Sequence, residues 1–174
     1  VGVFFMSVFM VGVPVMIRDL YNGSSGALAL VNGAFVIGTI TSTVTLMHLP
    51  QVQRQGRAIV LALTGGATVI ACLSTHPPQL VFYGLVLMFG GGAGVVMSLG
   101  RVIVQEAAPA THRARILAVY NLGYLGAAPF GAFVFGQIAA VTGVLTATLW
   151  AAMGMGVVLV LVVSTTQVWS ISRS

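Results

Sequence analysis

The chain of 174 residues is 58% hydrophobic and only 5% charged, with a mean hydropathy of +1.07. A water-soluble domain carries about 25% charged residues, so the composition excludes a soluble globular protein and marks an integral membrane protein. The net charge of +5 comes from arginines without any lysine, scattered between apolar runs. They form no basic stripe with interleaved aromatics, which excludes a nucleic-acid partner.

The lone cysteine, Cys72, excludes a disulfide framework and a cysteine metal site. His48, His76 and His112 lie near span ends and no two have metal-ligand spacing, so neither a metal nor a cofactor is expected. Val1 falls inside an apolar run with no charged segment before it, unlike a signal peptide. The expectation is a fragment whose true N-terminus lies upstream.

A helix needs about 20 apolar residues to cross the hydrocarbon, and six runs approach that length. The first covers about 1–17, with Pro14 tolerable as a kink near its end. A short loop with Arg18, Asp19 and Gly23 to Ser25 leads to a Thr- and Ser-rich second run at about 26–49. Pro50 closes that run, and Gln51 to Arg57 form the next loop. The third run, 58–74, ends at the breaker Thr75-His76-Pro77-Pro78. The fourth, 80–104, contains Gly90-Gly91-Gly92-Ala93-Gly94. A charged turn follows, and the last two runs cover about 115–139 and 144–165.

Arg54, Arg57, Arg101, Arg113, Arg115 and Arg173 fall at loops two and four or in the tail, whereas Arg18 alone falls at the other side, beside Asp19. The positive-inside rule therefore predicts both ends of the chain in the cytoplasm. Two sets of three runs with opposite orientation fit an inverted-topology repeat. The expected fold is an all-α membrane protein, one bundle over 1–174 with six transmembrane helices as two inverted three-helix repeats.

Val104 to Gly136 carries the most information. A polar turn with Glu106, Pro109, His112, Arg113 and Arg115 separates two apolar runs, because burying such charges in hydrocarbon costs several kcal/mol each. The second run carries Gly123, Gly126, Pro129, Gly131 and Gly136, small residues that allow close helix approach. Gln105, Pro109, Arg113-Ala114-Arg115 and Gly126-Ala127-Ala128-Pro129-Phe130-Gly131 resemble the C-terminal half of a major facilitator superfamily transporter. The nearest likeness is to the bacterial branch of drug and siderophore exporters that includes enterobactin exporters. Ala114 departs from the Gly usual there. Glu106-x-x-Pro109-x-x-x-Arg113 resembles the superfamily's Glu-x-x-Pro-x-x-x-Arg after helix ten. Gln53-Arg54-Gln55-Gly56-Arg57 resembles a degenerate second copy of its Asp-Arg-x-Gly-Arg-Arg loop, with Gln53 in place of Asp and Ala58 in place of the last Arg.

The resemblance implies a bacterial inner-membrane transporter, not an enzyme, whose partners are the lipid bilayer, a missing N-terminal six-helix half, a small-molecule substrate and protons. It implies export of drug- or siderophore-like molecules by alternating access, with proton antiport. The helices lining the cavity in that family correspond to spans one, two, four and five. Phe5, Met10, Asn32, Phe35, Met88, Asn121 and Tyr124 are the candidates there, as adaptable apolar contacts and orienting amides. Ordinary helix packing is the competing reading for each Phe and Met.

Arg54, Arg57, Arg101, Glu106, Arg113 and Arg115 are candidates for a cytoplasmic latch that breaks when the bundle rocks. Solvated interfacial charges, worth about 0–1 kcal/mol per pair, are the alternative. Gly90, Gly94, Gly126, Pro129 and Gly131 read as packing or hinge positions. No span holds a mid-membrane Asp, Glu, Lys or His, so a coupling carboxylate is expected in the missing half.

Three rival readings compete with a transporter half. Gly23-Ser24-Ser25-Gly26 formally matches the Gly-x-Ser-Gly of an intramembrane serine protease, but no His follows His112 to act as base. An aquaporin-like channel needs two Asn-Pro-Ala half-helices, and the chain has none. A six-helix protein acting alone or as a dimer is the third.

Overall fold

The computed structural model describes residues 2–48, 55–109 and 111–165. It is an all-α membrane protein, with no strand among the described residues. The first rod has three segments: α1 (Gly2–Ser7), a π-turn (Val8–Gly12) and α2 (Val13–Leu20). Then follow α3 (Ser25–His48), α4 (Gln55–Leu73), α5 (Gln79–Ala107), α6 (Arg113–Thr142) and α7 (Val144–Thr165). The last five are each long and apolar enough to cross a bilayer.

Several helices outrun the apolar runs that announce them. Hydropathy marks the hydrocarbon, whereas backbone hydrogen bonding continues into polar residues at the interface. Thus α5 carries Glu106 in its last turn and stops where Pro109 forces Ala108 into extended backbone, φ −82° and ψ 129°. The next helix, α6, starts at Arg113, so both arginines of the turn lie in its first turn. Gln55, Gly56 and Arg57 likewise belong to the first turn of α4 and not to a loop. Only Gly143 separates α6 from α7, at φ +87°, a left-handed backbone that suits a residue without Cβ.

The core gathers Phe5, Val8, Met16, Ile70, Phe82, Phe89 and Met155, all buried. It lies where the first rod, α4, α5 and α7 meet. By contrast, among the described residues α3 adds only Val31 and α6 only Phe135 to the buried core, with Ala27, Leu28, Phe35 and Ala139 half-buried against it. Water transfer does not drive contacts between helices in lipid, so their packing rests on dispersion and close approach.

Closest approach is between α3 and α5. A Cβ on Gly38 would run into the Leu87 carbonyl oxygen, one on Gly90 into the Phe35 carbonyl, and one on Gly94 would sit 2.6 Å from the Thr39 carbonyl. The seam is also polar. Thr39 Oγ1 lies 2.9 Å from the Phe35 carbonyl on its own helix and 3.1 Å from the Gly90 carbonyl across the interface. Thr43 and Ser98 bring their hydroxyls to 3.4 Å.

Candidate functional site

Three clusters of side chains stand out among the described residues, the first two holding residues that the sequence singles out. The first is at the arginine-rich end of the bundle. Gln55, buried at the start of α4, donates from Nε2 to Glu106 Oε2 at 3.3 Å, tying α4 to the end of α5. Arg57 is half-buried in the same first turn, whereas Arg101, Arg113 and Arg115 are exposed. Arg54 lies outside the described residues. Gln55 is not among the residues the sequence singles out, because its partner is 51 positions away. Its signal in the sequence is only its place as the variable position of the Gln53-to-Arg57 motif.

The second cluster is an aromatic layer between the first rod, α3 and α5. Phe5 stacks on Phe89 with ring centroids 3.9 Å apart and planes 19° apart. Phe9 stacks on Phe35 at 3.8 Å and 25°, and Phe35 lies 6.1 Å from Phe89 at a tilt. Of the cavity candidates, Phe5 and Phe35 are thus brought together around Phe89. Phe5 is buried and Phe35 half-buried. Met10, Asn32, Met88 and Asn121 are exposed, on the π-turn, α3, α5 and α6 respectively. Asn32 donates to the Leu28 carbonyl at 2.9 Å. Tyr124 lies on α6, with its side chain outside the described residues.

The third cluster closes the opposite end. Tyr21, in the turn after α2, donates its hydroxyl to the Pro77 carbonyl in the turn before α5. Its ring lies 5.2 Å from His76 and 5.1 Å from Phe82. Burial pushes the Tyr21 hydroxyl above the ordinary tyrosine value. Arg18 pairs with Asp19 at 2.6 Å, both exposed, where water screens the interaction. A shallow cleft beside them is lined by Arg18, Ser24 and Ser25, with no His, Asp or Glu to act as a base.

On α6, Pro129 removes the N–H that would bond the Leu125 carbonyl. Gly131 is buried, but a Cβ on Gly123, Gly126 or Gly136 would meet nothing within 4 Å. A second apolar cleft, about 210 Å³, lies between α1, α6 and α7 beside Phe4, Phe130, Phe135 and Trp150. Among the described residues no group of His, Cys, Asp or Glu is placed to hold a metal.

The chain matches no curated protein and no solved structure. The transmembrane secretion effector family, a family of the major facilitator type, matches residues 2–171. Its match spans the six rods and all three clusters, and the chain belongs to that family of membrane transporters.

Proposed function

We propose that this chain is the C-terminal six-helix half of a twelve-helix exporter in a bacterial inner membrane. It moves small organic molecules, of drug or siderophore type, outward by alternating access, and it has no catalytic chemistry of its own. The observation that carries the reading is the state of α3 and α6. Both span the bilayer, yet both leave most of their surface outside the core. Exposed on them are the amides Asn32 and Asn121 and, on α6, the unpacked glycines Gly123 and Gly126, with Gly136 half-buried but also unpacked. An amide facing hydrocarbon is costly, and unpacked glycines gain nothing from lipid. A second six-helix half, with a wet cavity between the two, satisfies both.

In this reading the arginine-rich end is cytoplasmic, and the Gln55–Glu106 link belongs to the latch that closes it. Asp19 and Glu106, the chain's two acids, lie at rod ends. Proton coupling therefore uses a carboxylate of the other half. The test is accumulation of a panel of amphipathic fluorescent dyes and a catecholate siderophore in cells with and without the protein. Lower accumulation that a protonophore restores is the expected result. Equal accumulation of every compound would reject export of this class.

A further inference from the structure

The π-turn follows from the pattern of buried residues. Phe5 lies just before it and Val8 opens it on the buried side of the rod, and Val13, Met16 and Ile17 follow it. Projected on an uninterrupted α-helix at about 100° per residue, the second set points about 100° away from the first. One surplus residue, held in the wide turn Val8–Gly12, brings both sets onto the same side. Pro14 lies just beyond, where a wider turn also relieves its ring against the preceding carbonyls.

The surplus residue sits in a sequence that repeats itself. Phe5-Met6 is followed four residues later by Phe9-Met10, so the two pairs lie one above the other on the rod. In the structure the two phenylalanines make the stacks, Phe5 on Phe89 and Phe9 on Phe35. Met6 is half-buried and Met10 exposed.

We propose that the π-turn is a register switch. When the surplus residue moves toward the start of the rod, residues 5–12 rotate by about 100° and slide by about 1.5 Å relative to α2. Met10 then takes the place of Phe9 against Phe35, and Met6 takes the place of Phe5 against Phe89. Both registers put an apolar side chain at each contact, and methionine adapts to the space that a ring leaves. The aromatic layer between the first rod, α3 and α5 is firm in one register and loose in the other. The switch does not depend on the direction of transport or on any substrate.

The experiment reads the register directly in the intact protein in membrane vesicles, with Cys72→Ser as background. Two double variants, Phe9→Cys/Phe35→Cys and Met10→Cys/Phe35→Cys, are treated with a short bifunctional thiosulfonate. Both are expected to cross-link, the second accumulating with time as molecules are trapped in the shifted register. Deletion of Met10 removes the surplus residue while keeping both buried sets on one side. In that background the Phe9 pair should cross-link faster and to a higher yield than with Met10 present. Cross-linking of the Phe9 pair alone, with no gain on the deletion, would overturn the switch. So would failure of both pairs, since the switch starts from the Phe9–Phe35 stack. If a variant at this layer fails to fold, Phe5→Cys or Met6→Cys against Phe89→Cys makes the same comparison one turn away. Cross-linking of both pairs there supports the switch, and cross-linking of the Phe5 pair alone or of neither overturns it.

Discussion

The buried Gln55 amide lies 3.3 Å from a Glu106 carboxylate oxygen, so the start of α4 and the end of α5 are held together at the arginine-rich end. Glu106 is itself exposed, and water competes for its charge. Gln55→Ala should therefore lower stability by about 0.5–1.5 kcal/mol, the net range for one hydrogen bond, toward the lower end. Glu106→Gln keeps a hydrogen-bonding group but removes the negative charge. It should insert and melt like the parent while its transport falls. Thermal unfolding in detergent and turnover in vesicles separate the two effects, and normal turnover of Glu106→Gln would remove the latch.

Glycines on two helices should respond in opposite ways. Gly90→Val places its side chain against the Phe35 carbonyl where α3 and α5 touch, with no flexible neighbour to yield. It should destabilise the bundle by about 1–3 kcal/mol or more, the range for overpacking. Gly126→Val meets nothing within 4 Å in this bundle and should leave its melting unchanged. In the proposed two-half transporter, the same substitution should impair transport through the facing half. Melting curves of both variants, beside their turnover, test the contrast.

Tyr21 makes its hydrogen bond and its ring contacts separately. Tyr21→Phe loses only the bond to the Pro77 carbonyl, at about 0.5–1.5 kcal/mol. Tyr21→Ala also loses the contacts with His76 and Phe82 and should cost more. The pH dependence follows from the raised tyrosine pKa. The neutral hydroxyl is favoured in the folded state, so its contribution is full below the unfolded value near 10 and is lost as pH rises through the higher folded value. Melting curves of wild type and Tyr21→Phe over roughly pH 8 to 11, the span around a tyrosine titration, should converge at the alkaline end. Curves offset by the same amount at every pH would contradict the titration, and superimposed curves would show that the hydrogen bond contributes nothing.

Sidedness is checked by labelling. Ser24→Cys, in the Cys72→Ser background, should react with a membrane-impermeant maleimide in right-side-out vesicles. Thr111→Cys should react only in inverted ones. The reverse pattern would turn the arginine rule over for this chain.

Much of the fold is legible in residue types alone, for reasons that also mark where reading stops. Six apolar runs and the breaker Thr75-His76-Pro77-Pro78 are one-dimensional signals, and each corresponds to a rod or to the gap between two helices among the described residues. The π-turn has no such signal, because Val8 to Gly12 is apolar throughout and hydropathy cannot count a surplus residue. Only the phase slip between Phe5-Val8 and Val13-Met16-Ile17 betrays it, once the buried side is known. Gln55 with Glu106 and Tyr21 with Pro77 join positions more than fifty residues apart, which no local pattern encodes. The cavity candidates are polar or adaptable residues inside spans. Asn32, Met88 and Asn121 stand exposed on α3, α5 and α6, and in the proposed two-half transporter the facing half completes the space they line.

The most direct test of the central claim is to read the coding sequence upstream of Val1. A two-half transporter predicts six further spans, a complete Asp-Arg-x-Gly-Arg-Arg loop between the second and third of them, and an acidic residue inside a span. A start codon immediately before Val1 would contradict it. The exposed sides of α3 and α6 would then have to meet a second copy of this chain.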